Sequence, residues 1–265
     1  MSLEAIRFKK SNPNLNYKDM ALSDLQKLPV HNGIIDFKIT KISFLMLNVL
    51  NDDSSVTKYF WKDSHDLVSF DLWYEISTEK GTFIDVGAHT GLYSLVSLKA
   101  NKENNVICFE PHFLNMARLI TNLRLNGLTK NISTILAAAS NFTGKTKFKI
   151  LTEKSYLSKG GKIDREGTQV DVFALDDLFF GKLQKPLRAI KIDTEGEDYK
   201  VLLGSEKLIS KYKPKIIIEV RDENKLNVSK FLKKYDYKFF DVLDLKKEIQ
   251  IENIKIDDMI NIFAE

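Results

Sequence analysis

The hydrophobic pattern changes character near residue 80. From Gly81 onward, short apolar runs rich in β-branched residues alternate with longer segments whose apolar positions recur at helical spacing. The runs at 82–86, 106–109, 132–136, 187–192 and 215–220 predict five core strands. Helices are expected over 92–100, from after Pro111 to about Asn126, from the Glu197 region to about Tyr212, and over 228–234. Met116, Leu119, Ile120 and Leu123 set the spacing of the second of these. Two last strands are expected at 237–243 and 259–264. Such alternation signals an α/β fold, a parallel sheet with helices on both faces.

One stretch breaks the rhythm. Runs at 146–150 and 168–173 flank a polar segment with Gly160, Gly161 and Gly167, which predicts an inserted antiparallel hairpin whose loop serves as a lid over the substrate. A short helix at 175–180 follows, opening with Asp176 and Asp177. Before residue 80 the pattern is weaker. Residues 1–40 are polar, and Pro13 and Pro29 exclude a long helix. Residues 42–49 read as a strand or a short helix. Asp52-Asp53-Ser54 reads as a turn capping a helix through Trp61. A helix over 70–78 carries Trp73, Tyr74 and Glu75, which either pack this extension on the sheet or wall a pocket. The expectation is one domain at 81–265 with an extension at 1–80.

Composition narrows the class. The chain has 265 residues, 43% of them hydrophobic, with a mean hydropathy of -0.22, as in folded globular proteins. The longest apolar run, 42–50, is interrupted by Ser43 and Asn48 and falls short of the roughly 20 residues that span a bilayer. The amino terminus has no signal-peptide core, so a cytoplasmic location is expected. Cys108 is the only cysteine, which excludes an intrachain disulfide; its place in a strand points to core packing. The net charge of +4 comes with dispersed lysines such as Lys207, Lys211, Lys213 and Lys215. These read as a solvated face, and nucleic acid is not an expected partner. His31 and His65 lie in polar surroundings and are expected at the surface.

The candidate chemistry begins at Gly81-Thr-Phe-Ile-Asp-Val-Gly-Ala-His-Thr-Gly91, a strand, a glycine loop and a helix start. A dinucleotide fingerprint would need glycine at 89 and 92, where His89 and Leu92 stand. Asp85, ahead of the loop, would repel a pyrophosphate but suits a cation such as the ammonium of S-adenosylmethionine. Glu110 closes the next strand, near the spacing of roughly 20 residues at which an acid accepts ribose hydroxyls. Ala137-Ala138-Ala139-Ser140 either leaves room for a flat adenine or eases a tight turn. The expected cofactor contacts in these runs are Asp85, Gly87, Ala88, His89, Gly91, Glu110, Pro111 and Ala138.

Phe83 to Gly91, then Phe109-Glu110-Pro111, Asn122 with Asn126, Leu175-Asp176-Asp177, and Ile190-Lys191-Ile192-Asp193-Thr194-Glu195-Gly196 together resemble the successive motifs of FkbM-type methyltransferases. His89 departs from the family, whose members usually carry Asn there. The resemblance implies S-adenosylmethionine as cofactor and O-methylation of sugars or other hydroxyl-bearing metabolites. It also implies the class I methyltransferase Rossmann-like sheet, core strands in the order 3-2-1-4-5-7-6 with the last antiparallel. In that order Asp193 lies beside the Gly87 loop, at the switch point where ligands bind.

A sugar hydroxyl is a poor nucleophile near pH 7, so a base within hydrogen-bond reach is expected. Asp193, Glu195 and Glu219 are the candidates, with His112 a weaker one. Asp193, Glu195 and Glu197 also fit a plain helix start. Clustered carboxylates could hold a divalent cation, but no metal is expected. Two other classes remain open: a nucleic-acid methyltransferase, and a non-catalytic module on the same fold. Asp-Thr-Glu-Gly at 193–196, in place of the Asn-Pro-Pro-Tyr of many nitrogen methylases, argues against the first. A homo-oligomer remains open.

Overall fold

The computed structural model describes residues 3–63, 67–150 and 161–265. The N-terminal stretch is more structured than its polarity suggests. α1 (Leu3–Ser11), a 3-10 turn and α2 (Leu22–Leu25) precede Pro29 and close on a small core of Ala5, Tyr17, Leu25 and Trp61. β1 (Gly33–Lys38) then pairs antiparallel with β2 (Ser43–Asn48), so the 42–49 run is a strand. Ile35, Phe37, Phe44 and Met46 put the buried face of this ribbon against the main body.

α3 (Ser54–Lys62) starts where expected, the Asp53 carboxylate accepting from the Val56 N–H. α4 (Leu67–Ser77) follows. Trp73 is fully buried, and its indole N–H reaches the Tyr93 carbonyl and the Ser97 hydroxyl. It packs the extension and does not wall the pocket. His31 corrects the sequence expectation: it is buried, its backbone N–H donates to Asn51, and its ring lies 4.3 Å from that of Phe60. His65 lies outside the described residues.

The core opens with β3 (Thr82–Val86), α5 (Leu92–Ala100), β4 (Asn105–Phe109), α6 (Phe113–Leu125) and β5 (Ile132–Ile135). The insertion is larger than a hairpin. β6 (Ala138–Ala139), β7 (Gly144–Ile150), β8 (Gly161–Ile163) and β9 (Thr168–Phe173) form a sheet ordered β6-β9-β7-β8. β7 and β9 are the expected antiparallel pair; β8 occupies part of the expected loop, and residues 151–160 of it, Gly160 among them, fall outside the described residues. The core resumes with α7 (Leu175–Phe179), β10 (Leu187–Ile192), α8 (Asp198–Leu203), α9 (Glu206–Tyr212), β11 (Lys215–Val220) and α10 (Lys225–Lys233). It ends with β12 (Phe239–Asp241), β13 (Asp244–Ile249) and β14 (Ile260–Ala264).

The main sheet runs β13-β12-β14-β11-β10-β3-β4-β5, with β14 antiparallel to both neighbours. Apart from β13 this is the order 3-2-1-4-5-7-6. β13 is an eighth strand at the edge, and its nearly all-exposed side chains give no apolar face to read in the sequence. The expected helix ending at Tyr212 is two helices. A Cβ at Gly204 would lie 2.1 Å from the Ser140 carbonyl oxygen, so the chain breaks there to let a neighbouring turn pass. Asp176 restarts it, its carboxylate accepting from the N–H groups of Lys207 and Leu208. Cys108 is buried in β4, as expected.

The motif pair Asn122 and Asn126, one turn apart on α6, grips the backbone of β2. Asn126 accepts from the Leu45 N–H at 2.8 Å and donates to its carbonyl at 2.7 Å. Asn122 accepts from the Leu47 N–H at 2.9 Å and donates to the Thr90 carbonyl at 3.0 Å. A helix period of i, i+4 thus reads a strand period of two. Asn122 is fully buried, so Asn122→Ala strands two backbone groups and should cost on the order of 2 kcal/mol. Asn126→Ala should cost clearly less, because water can replace an exposed bond. Denaturant titration of both variants checks this; equal losses would count against it.

Candidate functional site

β3 and β10 are neighbours, and their carboxyl ends meet the end of β4 at one side of the sheet. The glycine loop folds into that corner. Gly87 has φ +73°, and a Cβ on it would stand 1.8 Å from the carbonyl oxygen of Asp193. The N–H groups of Gly87 and Ala88 both donate to the Phe109 carbonyl. His89 follows at φ +50°, a left-handed conformation that Asn and His tolerate better than most residues. His89 therefore holds the turn without a glycine. Gly91, at φ +92°, starts α5 and packs toward Leu119; it does not line the cavity.

A cavity opens over this corner. Gly87, Ala88, His89, Glu110 and Pro111 form one side, Ala137, Ala138 and Ala139 a flat bed, and Asp193, Thr194, Glu195 and Glu197 the side nearest β10. The extension supplies Ser54, Ser55 and Phe70, and the inserted sheet Phe148, Gly161 and Ile163. Strand register puts Ala138, Phe148, Gly161 and Ile163 on one face of that inserted sheet. A Cβ at Gly161 would lie 2.1 Å from the Phe148 ring, so this glycine makes room for the aromatic wall. Glu110 is buried at the rim. One oxygen accepts from the His89 N–H and the other from the His112 N–H and the Asn115 amide. An ionised carboxylate offers about four acceptor positions, which leaves capacity for a ligand hydroxyl.

Asp85 departs from expectation. It is 1% exposed and points away from the cavity, accepting from the Ser94 N–H and hydroxyl at 3.1 and 2.8 Å. Burial pushes its carboxyl up, against the pull of Lys191 and Ser94. The reason is strand geometry: Asp85 and Lys191 are register partners on β3 and β10, under α5. The Lys191 ammonium lies 3.7 Å from Asp85 and 3.5 Å from Asp193, donates to the Gly87 carbonyl at 2.9 Å, and sits over the Tyr93 ring. Burial alone would lower its proton affinity, but Asp193 and Asp85 more than offset this and hold it protonated. Lys191 thus bridges the buried Asp85 and the cavity-lining Asp193. Asp193, part exposed, meets the cavity directly.

Glu195 stands at φ +54°, unusual for a residue with a long side chain. Asp198 fixes that loop by accepting from the N–H groups of Thr194 and Gly196 and from the Thr194 hydroxyl. Arg221, which the sequence reading missed, donates to Glu195 at 2.9 Å and to Glu219 at 2.6 and 2.9 Å. Glu219 is therefore an anchor for Arg221 and does not line the cavity. Burial raises the Glu195 carboxyl, aided by Asp193 and opposed by Arg221. The same causes, burial first and then Asp193 and Asp198, push Glu219 up to about 7. His112 is buried against Asn115 and lies outside the cavity lining. Among the described residues no three His, Cys, Asp or Glu side chains form a metal cage.

The raised Glu219 gives a pH signature. Between its ordinary value of 4.5 and about 7, the folded chain holds this proton more tightly than the unfolded chain does. The group's contribution to stability therefore falls as pH rises through that window. Glu219→Gln lacks this titration, so its melting temperature should gain on wild type from pH 4.5 to 7 and keep a constant offset above. Thermal melts across that range decide; a constant offset throughout would refute the assignment.

No curated protein sequence matches the chain. A crystal structure of methyltransferase FkbM from Methylobacillus flagellatus KT is similar, with 18% identity and a TM-score of 0.50. That match covers 82% of this chain and 54% of the other, so the chain spans little more than half the length of that protein. Also similar are an rRNA methylase from Streptococcus thermophilus (16% identity, TM-score 0.46, 75% of this chain and 94% of that one) and M. jannaschii TYW2 in complex with AdoMet (13%, 0.46, 89% and 86%). The first of these likenesses shows the fold. The methyltransferase FkbM domain matches residues 85–239, which run from the buried Asp85 through Glu110, Asp193 and Arg221. With more than half of its length so matched, the chain belongs to the FkbM methyltransferase domain family.

Proposed function

We propose that the chain is an S-adenosylmethionine-dependent O-methyltransferase acting on a hydroxyl of a sugar, surface glycan or related small metabolite. The observation that carries this is a single cavity lined by Asp193 and Glu195 on one side and by the side-chain-free bend at Gly87 with Glu110 on another. The residues present fit the cofactor. Glu110 has acceptor capacity for a ribose diol, the alanine bed suits a flat ring, and the Gly87 bend brings backbone close to a ligand. When bound, the cofactor would supply an electrophilic methyl carbon and a neutral sulfur leaving group.

The chain's own residues do the rest. Glu195 is the general base of this reading: Arg221 takes its Oε2 and leaves Oε1 to accept the acceptor's proton. Its raised proton affinity suits that task near neutral pH. Asp193, held by Lys191, orients the acceptor hydroxyl and offers negative charge beside a cationic ligand. The protonated Lys191 is no base. Holding acceptor and methyl donor in line is itself a large part of such catalysis. Among the described residues, four carboxylates, Glu110, Asp193, Glu195 and Glu197, line the cavity with one lysine, Lys191, which favours a hydroxyl-rich acceptor over a polyanion such as RNA.

Titration calorimetry with S-adenosylmethionine is the direct test, and absence of binding would defeat the reading. Glu110→Ala should weaken that affinity at least about tenfold, the equivalent of one good hydrogen bond. Asp193→Asn should lower turnover while leaving the melting temperature near wild type, measured once mass-spectrometric screening of nucleotide sugars and glycan fragments yields an acceptor. Unchanged turnover removes Asp193 from the mechanism.

A further inference from the structure

We propose that the N-terminal extension is a working part of the cofactor site, with Asp53 latching the glycine loop through Thr90. This rests on the cofactor reading above and goes beyond the family match, which begins at residue 85. Asp53 is fully buried, and a buried carboxylate is costly unless its oxygens are paired. One oxygen accepts from the Val56 N–H at 3.0 Å and caps α3. The other accepts from the Thr90 hydroxyl at 2.6 Å. One side chain thus sets the start of a helix in the extension and a corner of the loop.

Thr90 is held from two directions. Its carbonyl accepts from Asn122 of α6, while its hydroxyl answers to Asp53. The residues on either side of it, His89 and Gly91, both have positive φ. Such a conformation in a non-glycine residue persists only where the surroundings over-determine it. The neighbours of Asp53 complete the arrangement: Asp52 forms an ion pair with Arg118 of α6 at 3.3 Å, and Ser54 and Ser55 line the cavity. Four successive residues of the extension, 52–55, thus engage α6, the loop and the cavity. A helix cap alone would leave the Thr90 hydroxyl and its placement against Asp53 without a role.

The test uses the full chain and S-adenosylhomocysteine. Thr90→Val is nearly isosteric but loses the hydroxyl; Thr90→Ser keeps it. Asp53→Ser preserves a good helix cap but is too short to reach Thr90. By calorimetry, Thr90→Val and Asp53→Ser should each bind about tenfold more weakly than wild type, and Thr90→Ser within about twofold. In the ligand-free variants the Gly91 amide should exchange with solvent faster than in wild type, while amides of β10 keep their protection. Wild-type affinity in both Thr90→Val and Asp53→Ser overturns the latch, as does equal weakening by Thr90→Ser. If wild type itself binds no S-adenosylhomocysteine, the cofactor reading fails and this inference falls with it. If wild type binds and the variants match it, only the latch falls.

Discussion

A β-carbon on Gly87 would collide with the carbonyl of Asp193 at 1.8 Å, and that closeness sets the geometry of everything around it. It forces the loop after β3 to run flat against the end of β10. With the loop there, the Lys191 ammonium reaches the Gly87 carbonyl, and Glu110 reaches the backbone of His89. Any larger residue at 87 would lift the loop, break both contacts and fill the ground a ligand needs. The glycine thus serves two demands at once, close strand-to-loop packing and open access, and the packing demand is the stricter.

The second constraint is charge. Asp85, Asp193, Asp198, Glu195 and Glu219 crowd the carboxyl ends of three adjacent strands, and several are buried. Burying carboxylates together is unfavourable unless cations and N–H donors meet them. Lys191 meets Asp85 and Asp193; Arg221 meets Glu195 and Glu219; backbone N–H groups meet Asp198. Two cations for five acids leave the corner electron-rich. Burial first, and then this crowding by neighbouring acids, raises the proton affinities of Glu195 and Glu219.

The core was legible because buried parallel strands have few ways to be written. β3, β10 and β11 begin and end where the apolar runs do, and α5 matches its predicted span. Where apolar character was thin, legibility failed. β13 is almost wholly exposed, and β1 hides its alternation in six residues. The split between α8 and α9 comes from Gly204 meeting Ser140, a contact between segments distant in sequence. At the site, Gly87, Ala88, His89, Glu110 and Asp193 line the cavity, while Gly91, named with them from the sequence, does not. Side-chain direction was not legible. Asp85 and Lys191 occupy the same face of neighbouring strands, and only the strand order reveals that they pair. Arg221 carried one available signal, its place two residues after a carboxylate in an apolar strand.

The parts of the cavity differ in what constrains them. Gly87, Glu110 and Asp193 are tied to the main sheet by backbone contacts, so a change there disturbs the fold and the site together. Phe70, Phe148 and Ile163 reach the cavity from the extension and the inserted sheet, and are tied to it only by packing. Phe148 occupies its place because Gly161 vacates it, so exchanging the sizes of these two residues would reshape that wall without touching the strands beneath. Under the proposed function, a ligand over Gly87 and Glu110 would meet parts that cannot change without disturbing the sheet, and one against Phe70, Phe148 and Ile163 would meet parts that can.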